Sequence, residues 1–135
     1  GRLAESYRFI PDKQKDVKQT FQRASELALS NLTVNKEDWL TRAMLGRYYI
    51  FLDRVSEGLE FIDIAVKQSQ RNPEVLYFRA LALLQVGRDD DALNVLGEAV
   101  ELEPNYRQFI ALDPDLQRLK DNVQFINLLP VKHLN

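Results

Sequence analysis

The feature that most constrains this chain is an internal repeat with a period of 34 residues. Residues 39–72 align without a gap on residues 73–106. In this alignment Gly46 corresponds to Ala80, and the pair that starts at Asp53 corresponds to the pair that starts at Gly87. A sequence that repeats with a fixed period of about 20–50 residues folds as a row of similar supersecondary units. Each copy is therefore predicted to be one such unit.

The spacing within each copy is that of two helices. Apolar residues recur at steps of three and four positions, which is the periodicity of a helix face and not of a strand. These residues are Leu45, Tyr49, Leu59, Ile62 and Val66 in the first copy, and Leu76, Leu83, Leu93, Leu96 and Val100 in the second. Gly46 and Gly58 lie on successive helices, where small residues allow the two backbones to come close. We expect each copy to form a helical hairpin.

The predicted helix ends agree with the repeat boundaries. Asn72 is a favourable N-cap, and Pro73 follows it at the first helical position, where proline is preferred. Acidic residues 89–91 follow the Gly87 turn and lie where a helix N-terminus favours negative charge. Pro104 closes the second copy. Helix capping explains these acidic residues better than a divalent cation does, because consecutive carboxylates point in different directions around a helix.

A two-helix unit of this length and pattern resembles the tetratricopeptide repeat. The second copy carries the family pattern at Leu76, Ala80, Leu83, Gly87, Ala92, Leu96, Ala99 and Pro104. The first copy keeps Leu45, Gly46, Tyr49, Gly58, Ile62 and Ala65 but departs from the pattern at Arg42 and Gln70. The resemblance implies an all-α fold, a right-handed solenoid of antiparallel helix hairpins with about 2.5 repeats and a C-terminal helical cap.

Residues 1–38 are predicted to be a partial first repeat. Leu3, Ala4 and Tyr7 repeat the spacing of Leu45, Gly46 and Tyr49. A long second helix is then expected from near Asp12 towards Asn31, with one apolar face formed by Val17, Phe21, Ala24 and Ala28. Because the first helix of this repeat lacks its opening turns, we expect the 135 residues to be part of a longer polypeptide, with Gly1 as a cloning remnant.

Residues 107–135 break the period and are predicted to be capping helices, so that the whole chain, 1–135, forms a single domain. Asp113 and Pro114 begin a short helix that extends through Lys120, and an apolar stripe follows at Phe125, Ile126, Leu128 and Leu129. This ending is similar to the tail that closes tetratricopeptide arrays in bacterial multidomain signalling proteins. A cap is expected because the last hairpin of an array leaves an apolar face to be covered.

The composition argues against several classes of function. With no cysteine and one histidine, His133, the sequence offers no metal-binding set, and it contains no phosphate loop or nucleophile motif. We therefore expect no enzyme activity and no cofactor. The net charge of −2 gives no general attraction for nucleic acid, and no apolar run is long enough to insert into a membrane. The cytoplasm is favoured as the compartment, with the periplasm as the alternative.

The resemblance implies a partner-binding groove lined by the first helix of each repeat. The candidate residues are Met44, Arg47 and Phe51 in one repeat and Tyr77, Phe78 and Leu81 in the next. The predicted function is binding of a helix or extended peptide of another protein in an apolar concave groove, and the alternative is homodimerisation through exposed apolar hairpin faces. The sequence leaves open whether Phe51 and Phe78 are core residues.

Two observations limit the choice of partner. Co-chaperones of this family hold a terminal carboxylate with Asn, Lys and Arg, but the matching positions here carry Leu81, Glu74 and Phe78. A chaperone-tail clamp is therefore not expected. Residues 73–106 contain two basic and seven acidic residues, a net charge of −5, which favours a basic partner segment.

Overall fold

The computed structural model describes residues 11–131 and is all-helical over that range. The helices are α1 (Pro11–Val34), α2 (Trp39–Phe51), α3 (Val55–Gln68), α4 (Pro73–Gln85), α5 (Asp89–Leu102), α6 (Tyr106–Leu112), a 3-10 helix (Pro114–Leu119) and α7 (Val123–Ile126). The predicted all-α fold is confirmed. Leu3, Ala4, Tyr7 and His133, which entered the sequence predictions, lie outside the described residues.

The helix bounds repeat with the predicted period. The first and last residues of α2 and α3 (39, 51, 55 and 68) become those of α4 and α5 (73, 85, 89 and 102) when 34 is added. The turns are also equivalent, since Arg54 N–H donates to Tyr49 O at 2.8 Å and Arg88 N–H donates to Leu83 O at 2.9 Å. The contacts divide the chain into two compact units, Gly1–Gln70 and Arg71–Asn135.

In the first unit, α2 and α3 pack through the two glycines that the sequence singled out. A Cβ atom at Gly46 would lie 2.5 Å from the carbonyl oxygen of Gly58 and 2.5 Å from Cγ1 of Ile62. Both distances are well inside the carbon contact distance of about 3.5–4.0 Å. The predicted close approach of the two backbones is therefore confirmed.

The long helix α1 packs against α2 through one apolar face. Val17 and Phe21 are buried beside Phe51 and Leu52, and Ala28 and Leu32 belong to a second buried cluster with residues of α2. Ala24, predicted on the same face, is half-buried. The helix has 24 residues, which is longer than a typical globular helix, and its apolar face continues to Leu32.

The second unit contains the α4–α5 hairpin, in which Ala80 and Ala92 are fully buried as the small-residue pattern predicts. The side chain of Asn72 caps α4 by accepting from Glu74 N–H at 2.9 Å. Pro73 is the first residue of that helix. The predicted capping of α4 is therefore confirmed.

The C-terminal part of this unit differs in detail from the prediction. The segment after Asp113 is a 3-10 helix that ends at Leu119. Such helices are used in short pieces, and here Asp113 accepts from Asp115 N–H at 2.9 Å to start the turn. Arg118 then donates to Leu84 O at 2.7 Å, and to Asp89, which joins the 3-10 helix to the α4–α5 hairpin. The buried side chains of Leu116, Leu119 and Phe125 complete this cap.

Candidate functional site

The predicted site residues of α2 share one helix face. Met44, Arg47 and Phe51 lie at steps of three and four positions and are all half-buried. The guanidinium carbon of Arg47 lies 5.8 Å from the centroid of the Phe51 ring, which is within the range of a cation–π contact. Phe51 also stacks on Phe21 of α1, with the ring centroids 4.2 Å apart and the rings nearly parallel. Phe51 therefore contributes to the packing of α1 as well as to this face.

The predicted site residues of α4 have different surroundings. Leu81 is only 8% exposed and offers little surface to a partner, whereas Tyr77 and Phe78 are half-buried. The hydroxyl of Tyr77 donates to Oδ2 of Asp113 at 2.5 Å, and its ring stacks on that of Tyr106 with centroids 5.8 Å apart. Tyr77 is thus held in place by the C-terminal part of its own unit.

The repeat relates the two sets of residues. Phe78 occupies the position of Met44, 34 residues earlier, and both side chains are half-buried. Leu81 occupies the position of Arg47, so the same place in the repeat is apolar and buried in one unit and cationic and half-buried in the other. The position shared by Met44 and Phe78 therefore presents a large, partly exposed side chain in each unit.

An aromatic cluster that was missing from the sequence predictions continues from Tyr77. The Tyr106 ring lies 5.5 Å from that of Phe109, centroid to centroid, and Phe109 is 62% exposed. Burial raises the pKa of Tyr106, and the negative charges of Glu74 and Glu103 raise it further. Tyr106 and Phe109 are three positions apart and follow Pro104, and this spacing is the sequence pattern that indicates helix α6.

The described side chains show little that points to other chemistry. Among the described residues, no group of three or more histidine or acidic side chains can hold a metal ion. Nor does that part of the chain contain a helix long and apolar enough to cross a membrane. In each unit taken by itself, the candidate residues are large apolar or aromatic side chains, with Arg47 as the arginine of the first unit. Residues of these types are common in protein-binding surfaces.

The fold defines the class to which this chain belongs, the all-α proteins built from repeated helical hairpins. Residues 73–106 match the tetratricopeptide repeat family. The chain is also 30% identical, over 98 residues, to the BBSome complex member BBS4 of Bos taurus. That alignment covers 72% of this chain and 19% of the relative, so the chain spans about a fifth of the protein it matches. No solved structure shows a significant similarity to the chain.

The comparisons agree with the resemblance that the repeat pattern indicated. The matched residues 73–106 are the second predicted copy, with the same first and last residue. They form the α4–α5 hairpin together with the turn that precedes α6. The chain therefore has a tetratricopeptide-like fold, and repeats of this kind generally mediate protein–protein interaction.

Proposed function

We propose that this chain is a non-catalytic protein-interaction module that binds a helix or an extended peptide segment of another protein. The match of residues 73–106 to the tetratricopeptide repeat carries this proposal, because such repeats generally bind proteins. The name of the bovine relative, a member of a complex, is in keeping with it. We further propose that the module works within a larger protein, and the bacterial signalling context indicated by the C-terminal tail stays a prediction.

The proposed contact residues are those of the first helix in each repeat. Met44 and Phe78 share one repeat position and combine a large side chain with partial exposure, so they are the proposed apolar anchors. Arg47 is proposed to bind a carboxylate or a carbonyl oxygen of the partner, because its planar guanidinium presents several donors at once. Phe51 contacts α1, Tyr77 contacts Tyr106, and Leu81 is buried. Each of them is proposed to support the anchor of its own unit.

A peptide-display library selected on the purified chain provides the test. Affinities of the selected peptides would be measured by fluorescence anisotropy for the wild type, Phe78→Ala and Arg47→Ala. We expect each substitution to weaken binding by about tenfold, since central anchors dominate the affinity of such surfaces. The matched control is Ile64→Ala, which removes a partly exposed apolar side chain from α3 and should leave the affinity unchanged.

Thermal unfolding of each variant separates binding from folding. If Phe78→Ala loses the selected peptide while its melting temperature stays within a few degrees of the wild type, Phe78 is a contact residue. If Ile64→Ala weakens binding as much as Phe78→Ala, the first helices are not the binding surface. If the selected peptides bind every variant equally, the proposed contact residues are wrong.

Self-association is the second candidate function, favoured by the exposed apolar side chains of α1. Leu27 and Val34 are both exposed on this helix, and a second copy would bury such residues in a two-fold dimer. Light scattering at two concentrations about tenfold apart tests this candidate. A dimer that dissociates on dilution, and that Leu27→Ser converts to a monomer, would support it; a monomer at both concentrations would contradict it.

A further inference from the structure

The exposed side of α6 carries an apolar stripe that the packing of the second unit leaves uncovered. Tyr106, Phe109 and Leu112 follow one another at steps of three residues and therefore lie on one side of the helix. Phe109 is 62% exposed and Leu112 is 81% exposed, whereas the neighbouring residue Ile110 is fully buried. Apolar side chains that are this exposed on a single helix face commonly mark a binding surface.

The stripe is held in a fixed place by the rest of the unit. Tyr106 stacks on Tyr77, and Tyr77 in turn donates a hydrogen bond to Asp113, the residue that follows α6. Arg107 anchors the other side of α6 by donating to Asn127 O at 3.1 Å. The aromatic rings are thus presented by a supported helix, which lowers the entropy cost of binding.

The border of the stripe is acidic. Tyr106 N–H donates to Glu103 O at 3.0 Å, and Glu74 lies one turn before Tyr77 on α4. Both glutamate side chains are exposed, and their negative charges raise the pKa of Tyr106. Four arginine side chains of the unit bind other groups. Arg71 pairs with Glu98, Arg88 pairs with Asp91, Arg118 pairs with Asp89, and Arg107 binds the backbone of Asn127. The exposed carboxylates of Glu74 and Glu103 therefore place negative charge beside the exposed aromatic rings.

We propose that Tyr106, Phe109 and Leu112, bordered by Glu74 and Glu103, form a docking surface for a basic segment of a partner protein. This surface is called the α6 surface below. The charge complementarity selects the occupant: arginine or lysine side chains lie over the rings and pair with the two carboxylates, and an apolar side chain of the same segment packs beside Leu112. The proposal rests on the proposed function, to which it adds a second surface and the chemistry of its partner.

The test uses three fluorescein-labelled synthetic peptides of about twelve residues. The first contains arginine, leucine and serine, the second has glutamate in place of arginine, and the third has serine in place of leucine. We expect the first peptide alone to bind the chain in a fluorescence anisotropy titration. Its affinity should fall as salt is added, because the exposed charges are screened. Equal binding of the glutamate peptide would overturn the proposal.

Paired variants localise the binding. We expect Phe109→Ala to weaken binding by about tenfold, and Glu103→Gln to weaken it by about two- to fivefold, as for exposed ion pairs. Two controls should stay within about twofold of the wild type. Asp90→Asn removes a carboxylate at the other end of α5, about 20 Å away along the helix, and Val123→Ala removes an exposed apolar side chain from α7.

The remaining outcomes also decide the proposal. If Asp90→Asn weakens binding as much as Glu103→Gln, the peptide responds to net charge and the α6 surface is wrong. If light scattering shows a dimer that Phe109→Ala abolishes while no peptide binds, a second copy occupies the surface and the proposal is overturned. Phe78→Ala distinguishes the two proposals. If Phe78→Ala no longer binds a library-selected peptide, and the wild type does not bind the basic peptide, the α6 surface is refuted and the proposed function stands.

Discussion

Replacing Gly58 with alanine measures how closely α2 and α3 approach each other. A Cβ atom at this position would lie 2.7 Å from Cγ1 of Ile50 and closer still to the carbonyl oxygen of Gly46. The first contact is about 1 Å shorter than a favourable carbon–carbon distance. Ile50 is a side chain that can turn, but the oxygen of Gly46 belongs to the backbone, so the two helices must separate.

The expected loss of stability follows from two opposing effects. Alanine in place of a helical glycine stabilises a helix by about 0.5–1 kcal/mol. Overpacking of a closely packed site costs about 1–3 kcal/mol, and the upper part of that range applies when backbone has to move. Gly58→Ala should therefore lower the free energy of unfolding by about 1–2 kcal/mol. For a chain of this size the melting temperature should fall by about 3–10 °C.

The matched control is the same substitution at Gly97 of α5. A Cβ atom there meets only Cδ2 of Leu128, at 3.9 Å, which is an ordinary contact. Gly97→Ala should therefore stabilise the chain by about 0.5–1 kcal/mol through helix propensity alone. Circular dichroism with thermal and urea unfolding measures both variants. A Gly58→Ala variant that is as stable as Gly97→Ala would refute the close approach of the two helices.

Three further predictions concern the turns, the caps and the C-terminal contact. Asp53 has a positive φ of 64°, and Gly87, at the equivalent turn, has a φ of 84°. Because glycine adopts positive φ more readily than other residues, Asp53→Gly should raise the free energy of unfolding by about 0.5–1 kcal/mol and Gly87→Ala should lower it by a similar amount. Unchanged urea midpoints would contradict both expectations. Hydrogen bonds from the side chain and backbone of Thr41 lower the pKa of Asp38. The contribution of ionised Asp38 to the free energy of unfolding is therefore fully present above the unfolded pKa of about 3.8, and it is lost as the pH falls through the lower pKa of the folded state. Asp38→Ala should remove that part of the acid-unfolding curve and cost about 0.5–2 kcal/mol at neutral pH, and an unaltered curve would refute this. Tyr77→Phe should lower the free energy of unfolding by about 0.5–3 kcal/mol, because it removes the hydrogen bond to the carboxylate of Asp113. Amide hydrogen exchange in α6, the helix before Asp113, should become faster, and an unchanged rate would contradict the contact.

The hairpins could be predicted from the sequence because their signals are local and repeated. The helix ends at Asn72 and Pro73 follow from capping chemistry, and the small residues Gly46 and Gly58 indicated the helix contact that the structure shows. Repetition strengthens each signal, because equivalent positions occur in both copies. Helix α6 was harder to predict, because its seven residues are too few to establish a clear periodicity.

The surroundings of the candidate site residues depended on contacts that are distant in sequence. Tyr77 meets Asp113 across 36 residues, and Phe51 meets Phe21 across the α1–α2 turn. Helical periodicity places these side chains on a face, but it does not tell which neighbouring element will cover that face. Leu81 and Phe78 are three positions apart on one helix. For the same reason, the sequence does not predict that Leu81 is buried while Phe78 is partly exposed.

Chemical-shift mapping with a library-selected peptide tests the proposed function most directly. Amide spectra of the labelled chain would be recorded as the peptide is added, for the wild type and for Phe78→Ala. The proposed function predicts saturable changes concentrated in α2 and α4, around Met44, Arg47 and Phe78, that Phe78→Ala reduces. Saturable changes confined to α3 and α5, or a response that Phe78→Ala leaves intact, would contradict binding through the first helices.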